Sequence, residues 1–215
     1  MPSRSYNLLC PISRALDHVG DRWALLILRD LHAGPVRHKD LAAGLTGIPS
    51  NLLASRLKEL LANKLIQKTI NEHGVPLYSL TELGEATGPL LFELSKLGTR
   101  FPADENARTP GNLRLAAVTL KEALSRVADD STFDIELRIE GEPLEIRMSQ
   151  NGVQVRYRPA LEPQAIISVP YEPMIAYGDG RITKEKFAEQ VVVEGDFEVA
   201  GQFLQHLEHA MLSMA

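Results

Sequence analysis

Asn51, Ser55 and Lys58 stand three or four residues apart in the run IPSNLLASRLKELLANKLIQK, positions 48 to 68. On a helix that spacing gathers them on one face, while Leu53, Leu57, Leu60, Leu61 and Lys64 fall on the other. Short polar side chains on a helix anchored by leucines can approach base edges without filling a major groove, and a lysine can meet a phosphate or a guanine. Arg56, at the edge of the apolar face, suits a phosphate contact or a buttressing ion pair. The same division would also serve a surface helix in a protein-interaction module, and periodicity alone leaves both readings open.

Other chemistry is sparse. The chain has one cysteine, Cys10, which excludes an internal disulfide and a cysteine zinc cluster. A sensor thiol must be exposed and its thiolate stabilised; Arg14, one turn on, or a helix N-terminus could do that. Otherwise Cys10 is a small buried hydrophobe. His206 and His209 are three apart on a helix, but no third ligand is evident, so no metal is expected. There is no glycine-rich phosphate loop, nucleophile elbow or zincin pair. The expectation is a non-enzyme with no catalytic residues and no cofactor.

The composition is that of a globular chain, with 215 residues, 44% hydrophobic and 24% charged. No window approaches the roughly 18 apolar residues of a membrane span, and the N-terminus has too short an apolar run for a secretory signal. The expected location is the cytoplasm. The net charge of −5 conceals an asymmetry. Residues 1–101 carry 12 Lys and Arg against 9 Asp and Glu, whereas residues 102–215 carry 11 against 19. A mildly basic half thus precedes an acidic one, which suggests two domains with different partners. Between them Gly98–Asn112, with two Pro, two Gly and two Asn, reads as a linker. The expected division is a domain over 1–100, a linker over 101–112 and a domain over 113–215.

The first half reads as helical with one hairpin. Pro11 to Val19 can form a helix. Asp21 caps the next, whose stripe of Trp23, Leu26, Ile27 and Leu31 stops at Gly34-Pro35. Arg37 to Leu45 makes a third, with His38, Leu41 and Leu45 on one side, and the 48–68 helix follows. Two strands, LIQKTI and PLYSL, flank the tip Asn71–Gly74. Thr81 then caps a long helix running through Leu97. This is the order of a winged helix-turn-helix.

The runs CPISRALDHVGDRWALLILRDLHAGPVRHKDL, GIPSNLLASRLKEL and LYSLTELG, in that order, resemble the HxlR family of bacterial winged-helix transcription factors, from about Cys10 to Leu97. The resemblance implies a homodimeric regulator of double-stranded DNA, expected to bind a palindromic operator. Asn51, Ser55 and Lys58 would then face the major groove, with Arg37, Lys39 and Arg56 near phosphates and His73 at the wing tip as the candidate to reach DNA. It further implies a dimer interface formed by the N-terminal segment and the Thr81–Leu97 helix. Cys10 aligns with the redox cysteine of several members. Pro49 stands where the family usually places Ser, so Ser50 is expected to cap the recognition helix instead. His38 replaces an aromatic residue and is read as part of the core.

The second half alternates with strand period. Phe133, Ile135, Leu137 and Ile139 share one face against Asp134, Glu136, Arg138 and Glu140; Leu144, Ile146 and Met148 follow, and Asn151-Gly152 turns into VQVRY. AIISV and VVVEG add strands, Pro173–Tyr177 and Thr183–Gln190 helices. Amphipathic helices over Leu113–Val127 and Phe197–Met211 would cover the sheet. The expected class is α+β, an antiparallel or mixed sheet covered by helices after the winged helix-turn-helix. The run from Gln164 to Leu207, with Gly180-Arg181-Ile182-Thr183 and Glu194-Gly195-Asp196, resembles the sterol-carrier-protein lipid-binding domain. That resemblance implies a cavity for an apolar small molecule, with Ile135, Leu137, Ile146, Met148, Tyr157, Met174, Tyr177, Phe187 and Phe203 as candidate lining. Arg138, Arg147, Arg156 and Arg158 fall on the other face. Two functional readings stand: a dimeric transcription regulator biased by an apolar ligand or a thiol signal, and a lipid carrier whose winged helix serves only for dimerisation or protein contacts.

Overall fold

The Asp21 carboxylate starts the helical half: its Oδ1 accepts from the Trp23 and Ala24 amides at 2.9 and 3.3 Å, satisfying two of the amides a helix start leaves unpaired. The computed structural model describes residues 5–101, 113–178 and 181–212; residues 102–112 of the expected linker and Gly180 of the Gly-Arg-Ile-Thr motif lie outside them. After α1 (Pro11–Val19), α2 (Arg22–Leu31) buries Ala24, Ile27, Leu28 and Leu31. The expected stripe is thereby rotated: Leu28 lies at its centre, while Trp23 and Leu26 are half-buried flanks. Gly34, at φ +100°, turns the chain in a conformation that favours glycine.

In α3 (His38–Gly44) Leu41 is buried and His38 half-buried. Next comes α4 (Ser50–Ala62), held by Leu53, Leu57 and Leu60. Lys64, expected on its apolar face, is beyond the helix, exposed and at φ +58°. The hairpin pairs β1 (Ile66–Ile70) with β2 (Pro76–Leu80), Ile66 opposite Leu80. Asn71 shapes its tip by accepting from the His73 and Val75 amides at 3.0 and 2.9 Å. Val36 bridges to Tyr78, tying the turn after α2 to the hairpin.

The helix expected to run unbroken from Thr81 to Leu97 is two helices, α5 (Glu82–Glu85) and α6 (Gly88–Gly98). Two residues explain the break. Gly84 packs so closely on the Leu65 carbonyl that a Cβ there would lie 2.1 Å from its oxygen, which fixes α5 against β1. Pro89, at the start of α6, has no N–H to continue the helical ladder. Thr81 does cap α5, accepting from the Gly84 amide.

The second half opens with α7 (Arg114–Val127) and a five-stranded mixed sheet of order β5-β4-β3-β6-β7. The strands are β3 (Phe133–Ile139), β4 (Glu142–Ser149), β5 (Gly152–Arg156), β6 (Ala165–Val169) and β7 (Val192–Gly195). β6 runs parallel to β3 and the other neighbours are antiparallel. Between β6 and β7 come α8 (Tyr171–Gly178) and α9 (Lys184–Ala188), and α10 (Phe197–Leu212) closes the described chain. The inward residues of β3 to β6 pack with Ala117, Leu124, Ala200 and Phe203 of α7 and α10. On the outer face alternation alone misleads, because Glu136 and Glu145 are buried. The chain after β5 crosses above them. The Ala160 amide donates to Glu136 Oε2 at 2.7 Å, Arg158 clasps Glu145 at 2.7 and 3.1 Å, and Arg138 reaches Glu136 at 2.6 Å.

The two halves share packing across the expected boundary. Val118 of α7 belongs to the winged-helix core, while Ala33 and Phe92 belong to the core of the sheet. Arg114 is buried; its Nε donates to the Asp30 carbonyl at 3.1 Å, and its Nη2 donates to that of Gly34. The Tyr157 amide donates to the Ala33 carbonyl at 2.9 Å, and Arg114 lies over the Tyr157 ring. The buried Asp30 carboxyl is raised above the usual range by desolvation, against the pull of Arg29 at 2.7 Å and of Arg114.

Two outcomes follow. Arg114→Met keeps the stem but removes the charge that faces Asp30 and both carbonyl contacts; breaking a buried ionic contact of this kind costs about 3 kcal/mol, read as a lower urea midpoint. His32, with Nδ1 3.6 Å away, and Lys121, donating at 2.7 Å, hold the Glu85 carboxyl down to about 2 against the opposing effect of its burial. A carboxyl depressed in the folded state adds stability above its unfolded pKa of about 4.3 and loses it as pH falls toward 2. Glu85→Gln should therefore flatten this part of the acid limb in urea titrations between pH about 4.5 and about 2.

Candidate nucleic-acid interface

The leucines that dock α4 decide what it exposes. With Leu53, Leu57 and Leu60 buried against α2 and β1, Asn51, Ala54, Ser55 and Lys58 face solvent. Pro49, not Ser50, occupies the cap position, at φ −63° and ψ 139°, and no side chain caps the helix. Ser50 is the first helical residue because the fixed φ of Pro49 sets the entry one residue earlier. An uncapped N-terminus presents amide donors and the positive end of the helix dipole.

The cations divide into two groups. Arg56 is engaged within the domain: its Nη1 lies 2.5 Å from Glu59 Oε2 and its Nε 3.1 Å from Asp21 Oδ1. The guanidinium thus ties α4 to the cap of α2, which is the buttressing alternative of the two read from sequence. Lys58 on α4, with Arg37 and Lys39 at the start of α3, is exposed and makes no ion pair among the described residues. Ser55 Oγ donates to Glu59 Oε1 at 3.3 Å. His73 is exposed at the hairpin tip, with its Nε2 3.5 Å from Glu72. Sequence reading passed over Lys68, exposed on β1 with its ammonium 5.7 Å from the Tyr78 ring centre. Its signal was the run Gln67-Lys68-Thr69, polar through most of a strand that buries only Ile66.

Cys10 is exposed and precedes α1. Its thiol is lowered from the usual value by the Ser13 and Ile12 amides and the Ser13 hydroxyl. The stabilising groups are therefore the first amides of α1 and not the Arg14 side chain considered from sequence. Its chain neighbours Leu9 and Ile12 are 98% and 71% exposed, and Leu83, Leu90, Leu94 and Leu97 are exposed on α5 and α6.

The apolar residues proposed to line a cavity are placed otherwise. Ile135, Leu137, Ile146, Met148 and Phe203 are each 3% exposed or less within one packed cluster, and Tyr157, Met174 and Phe187 pack against it. Tyr177 stacks on Phe187 at 4.9 Å and donates to Glu208. Of the nine, Tyr157 lines the described clefts, which open instead between the two halves. One, of about 480 Å³, has Arg37, Asp40, Asn71 and Arg114 in its walls; the other measures about 860 Å³. No helix among the described residues is long and apolar enough to cross a membrane.

Comparison with known proteins places the first half. A profile of the HxlR-like helix-turn-helix matches residues 18–106. The transcriptional regulator YvaP of Bacillus subtilis is 35% identical over 96 residues, 43% of this chain and 89% of YvaP. YodB, a transcriptional regulator of the same organism, is 34% identical over 98 residues, 44% of this chain and 88% of YodB. The structure of YodB in its reduced form superposes with a TM-score of 0.40 at 31% identity, over 45% of this chain and all of that one. These matches cover the winged helix and leave the sheet outside them. Through its N-terminal half the chain belongs to the HxlR-like helix-turn-helix family of transcriptional regulators.

Proposed function

We propose that the chain is a homodimeric transcriptional regulator that places α4 in the major groove of a palindromic operator, with the acidic second half modulating that contact. The observation that carries this reading is the exposed face of Asn51, Ser55 and unpaired Lys58 on a leucine-docked helix within an HxlR-like domain. Arg37, Lys39 and Lys68 stand on neighbouring elements as phosphate contacts, and His73 is the wing-tip candidate. Arg56 acts by holding α4 against Asp21.

Dimerisation is inferred from the apolar surface of Leu9 and Ile12 on one side and Leu83, Leu90, Leu94 and Leu97 on the other. A second copy around a two-fold axis covers both at once. Cys10 stands within this surface with its thiolate favoured, so oxidation or alkylation there would reach the dimer contact directly. The second half is read as sterol-carrier-like, with residues 1–100 and 113–215 as functional units. Support for that comes from the order β6, α8, α9, β7, α10, which is the order the resemblance implies. Ile135, Leu137, Ile146 and Met148 then serve as its packed core, and a ligand acts through the seam between halves.

Selection from random DNA should enrich one palindrome whose half-sites are about 10 base pairs apart, centre to centre. Lys58→Ala should weaken binding to it and reduce the dependence of log K on log salt by about one unit. Failure to enrich any sequence would favour a carrier whose winged helix serves only protein contacts. Light scattering at micromolar concentration should give a dimer, and Leu90→Glu with Leu94→Glu a monomer; a wild-type monomer sinks the dimer.

A further inference from the structure

The cleft of about 860 Å³ is walled on one side by β5 and α7 and on the other by the chain from Leu31 to Pro35, the end of β2 and Glu85. Its size falls within the roughly 300–1,000 Å³ of small-molecule sites, which favour seams between structural units. The charges along its walls are unequal in status. Lys121 is held by Glu85 at 2.7 Å and Arg158 by Glu145 at 2.7 Å. Arg156 makes no ion pair among the described residues, and its stem passes beside Gly34, where a Cβ would lie 3.9 Å from Arg156 Cγ. The remaining polar lining comes from Ser79, Ser125, Asn151, Gln154 and Tyr157, and from His32, which is turned to Thr87 at 3.1 Å and Glu85 at 3.6 Å. The cleft therefore offers one uncompensated positive charge beside hydrogen-bonding groups. A guanidinium meets a carboxylate through two parallel N–H bonds, a geometry that suits a single planar anion.

We propose that this cleft binds a small organic carboxylate, with its charge on Arg156. The opposite wall is the turn after α2, which Val36 joins to Tyr78 of the hairpin. A molecule seated between β5 and this turn holds the hairpin and the sheet in one relative position. It changes DNA affinity only to the extent that it prefers that position over others. This consequence rests on the regulator reading; the binding itself does not.

The test uses the full chain, titrated calorimetrically with benzoate, octanoate and inorganic phosphate. The expected result is saturable binding of at least one carboxylate, one per chain, weakened about tenfold or more, or about 1.4 kcal/mol, by Arg156→Gln. Ser125→Trp, which fills the cleft from α7, should weaken it similarly, and both variants should keep the wild-type melting temperature without ligand. The proposal is overturned if neither carboxylate binds saturably, if phosphate binds as tightly as they do, or if Arg156→Gln binds as wild type does. With the selected DNA, saturating carboxylate should shift affinity at least threefold; an unchanged affinity removes the coupling. Absence of specific DNA binding would count against the regulator reading, and the titration would still decide the site.

Discussion

The guanidinium of Arg114 is the contact on which the arrangement of the two halves depends. Where the chain leaves α2, Arg114 from α7 donates to the Asp30 carbonyl, which also accepts from the Ala33 amide at 3.3 Å, and to the Gly34 carbonyl in the turn beyond. A cation at a helix C-terminus also meets the negative end of the dipole. The same charge faces the buried Asp30 carboxyl, so it offsets two desolvation costs at once. Around it the packing is apolar: Val118 enters the winged-helix core, and Phe92 enters the sheet core beneath the Arg126 guanidinium, 3.8 Å from its ring centre. The acidic half is thus anchored on the helix that stands directly behind α4.

That placement gives α2 three tasks. Its cap, Asp21, satisfies its own first amides and receives Arg56 of α4. Its middle, Ile27 and Leu28, is fully buried in the core. Its C-terminal end receives Arg114 and, through Ala33, the Tyr157 amide. Exposed ion pairs contribute about 1 kcal/mol or less each, so the Arg56 contacts orient α4 more than they stabilise the fold. Their effect is to leave Lys58, and not Arg56, as the cation of α4 without an internal partner.

Local chemistry was the legible part of the sequence. Asp21 as a cap, the Asn71–Gly74 tip, the Asn151-Gly152 turn and the strand alternation each depend on neighbours within a few residues, and each element stands where its pattern places it. The errors have long-range causes. Nothing near Gly84 announces that the Leu65 carbonyl will press against it, yet that contact and Pro89 divide the Thr81–Leu97 helix. Alternation sets Glu136 on the face away from the core, and nothing local shows that it and Glu145 are covered by Ala160 and Arg158, outside the strands that carry them. Nothing in the helix pattern around Arg114 marks its role, because its partners are 80 and 84 residues away. Among the site residues, exposure of Asn51, Ser55 and Lys58 followed from leucine spacing. The internal pairing of Arg56 required knowing that Asp21 lies beside it. Of the expected cavity residues, Ile135, Leu137, Ile146, Met148 and Phe203 face inward, but periodicity cannot distinguish a lining from a filled core.

Tyr157 lies where these constraints meet. It lines both clefts between the halves, donates its amide to Ala33, stacks under Arg114 and donates its hydroxyl to Glu142 at 2.9 Å. Burial and the Glu142 carboxylate raise its phenol above the usual value, so it stays a donor. Any displacement of the sheet relative to the winged helix must carry this residue with β5 or break its bond to Ala33. The seam is therefore stiff at Arg114 and Tyr157 and open on both sides of them. A rotation of the sheet against the winged helix about this pair would have to change the shape of both clefts, because Tyr157 lines each of them. Because the turn at Ala33–Val36 is bonded to both Tyr157 and Tyr78, the hairpin is the first element such a rotation would meet.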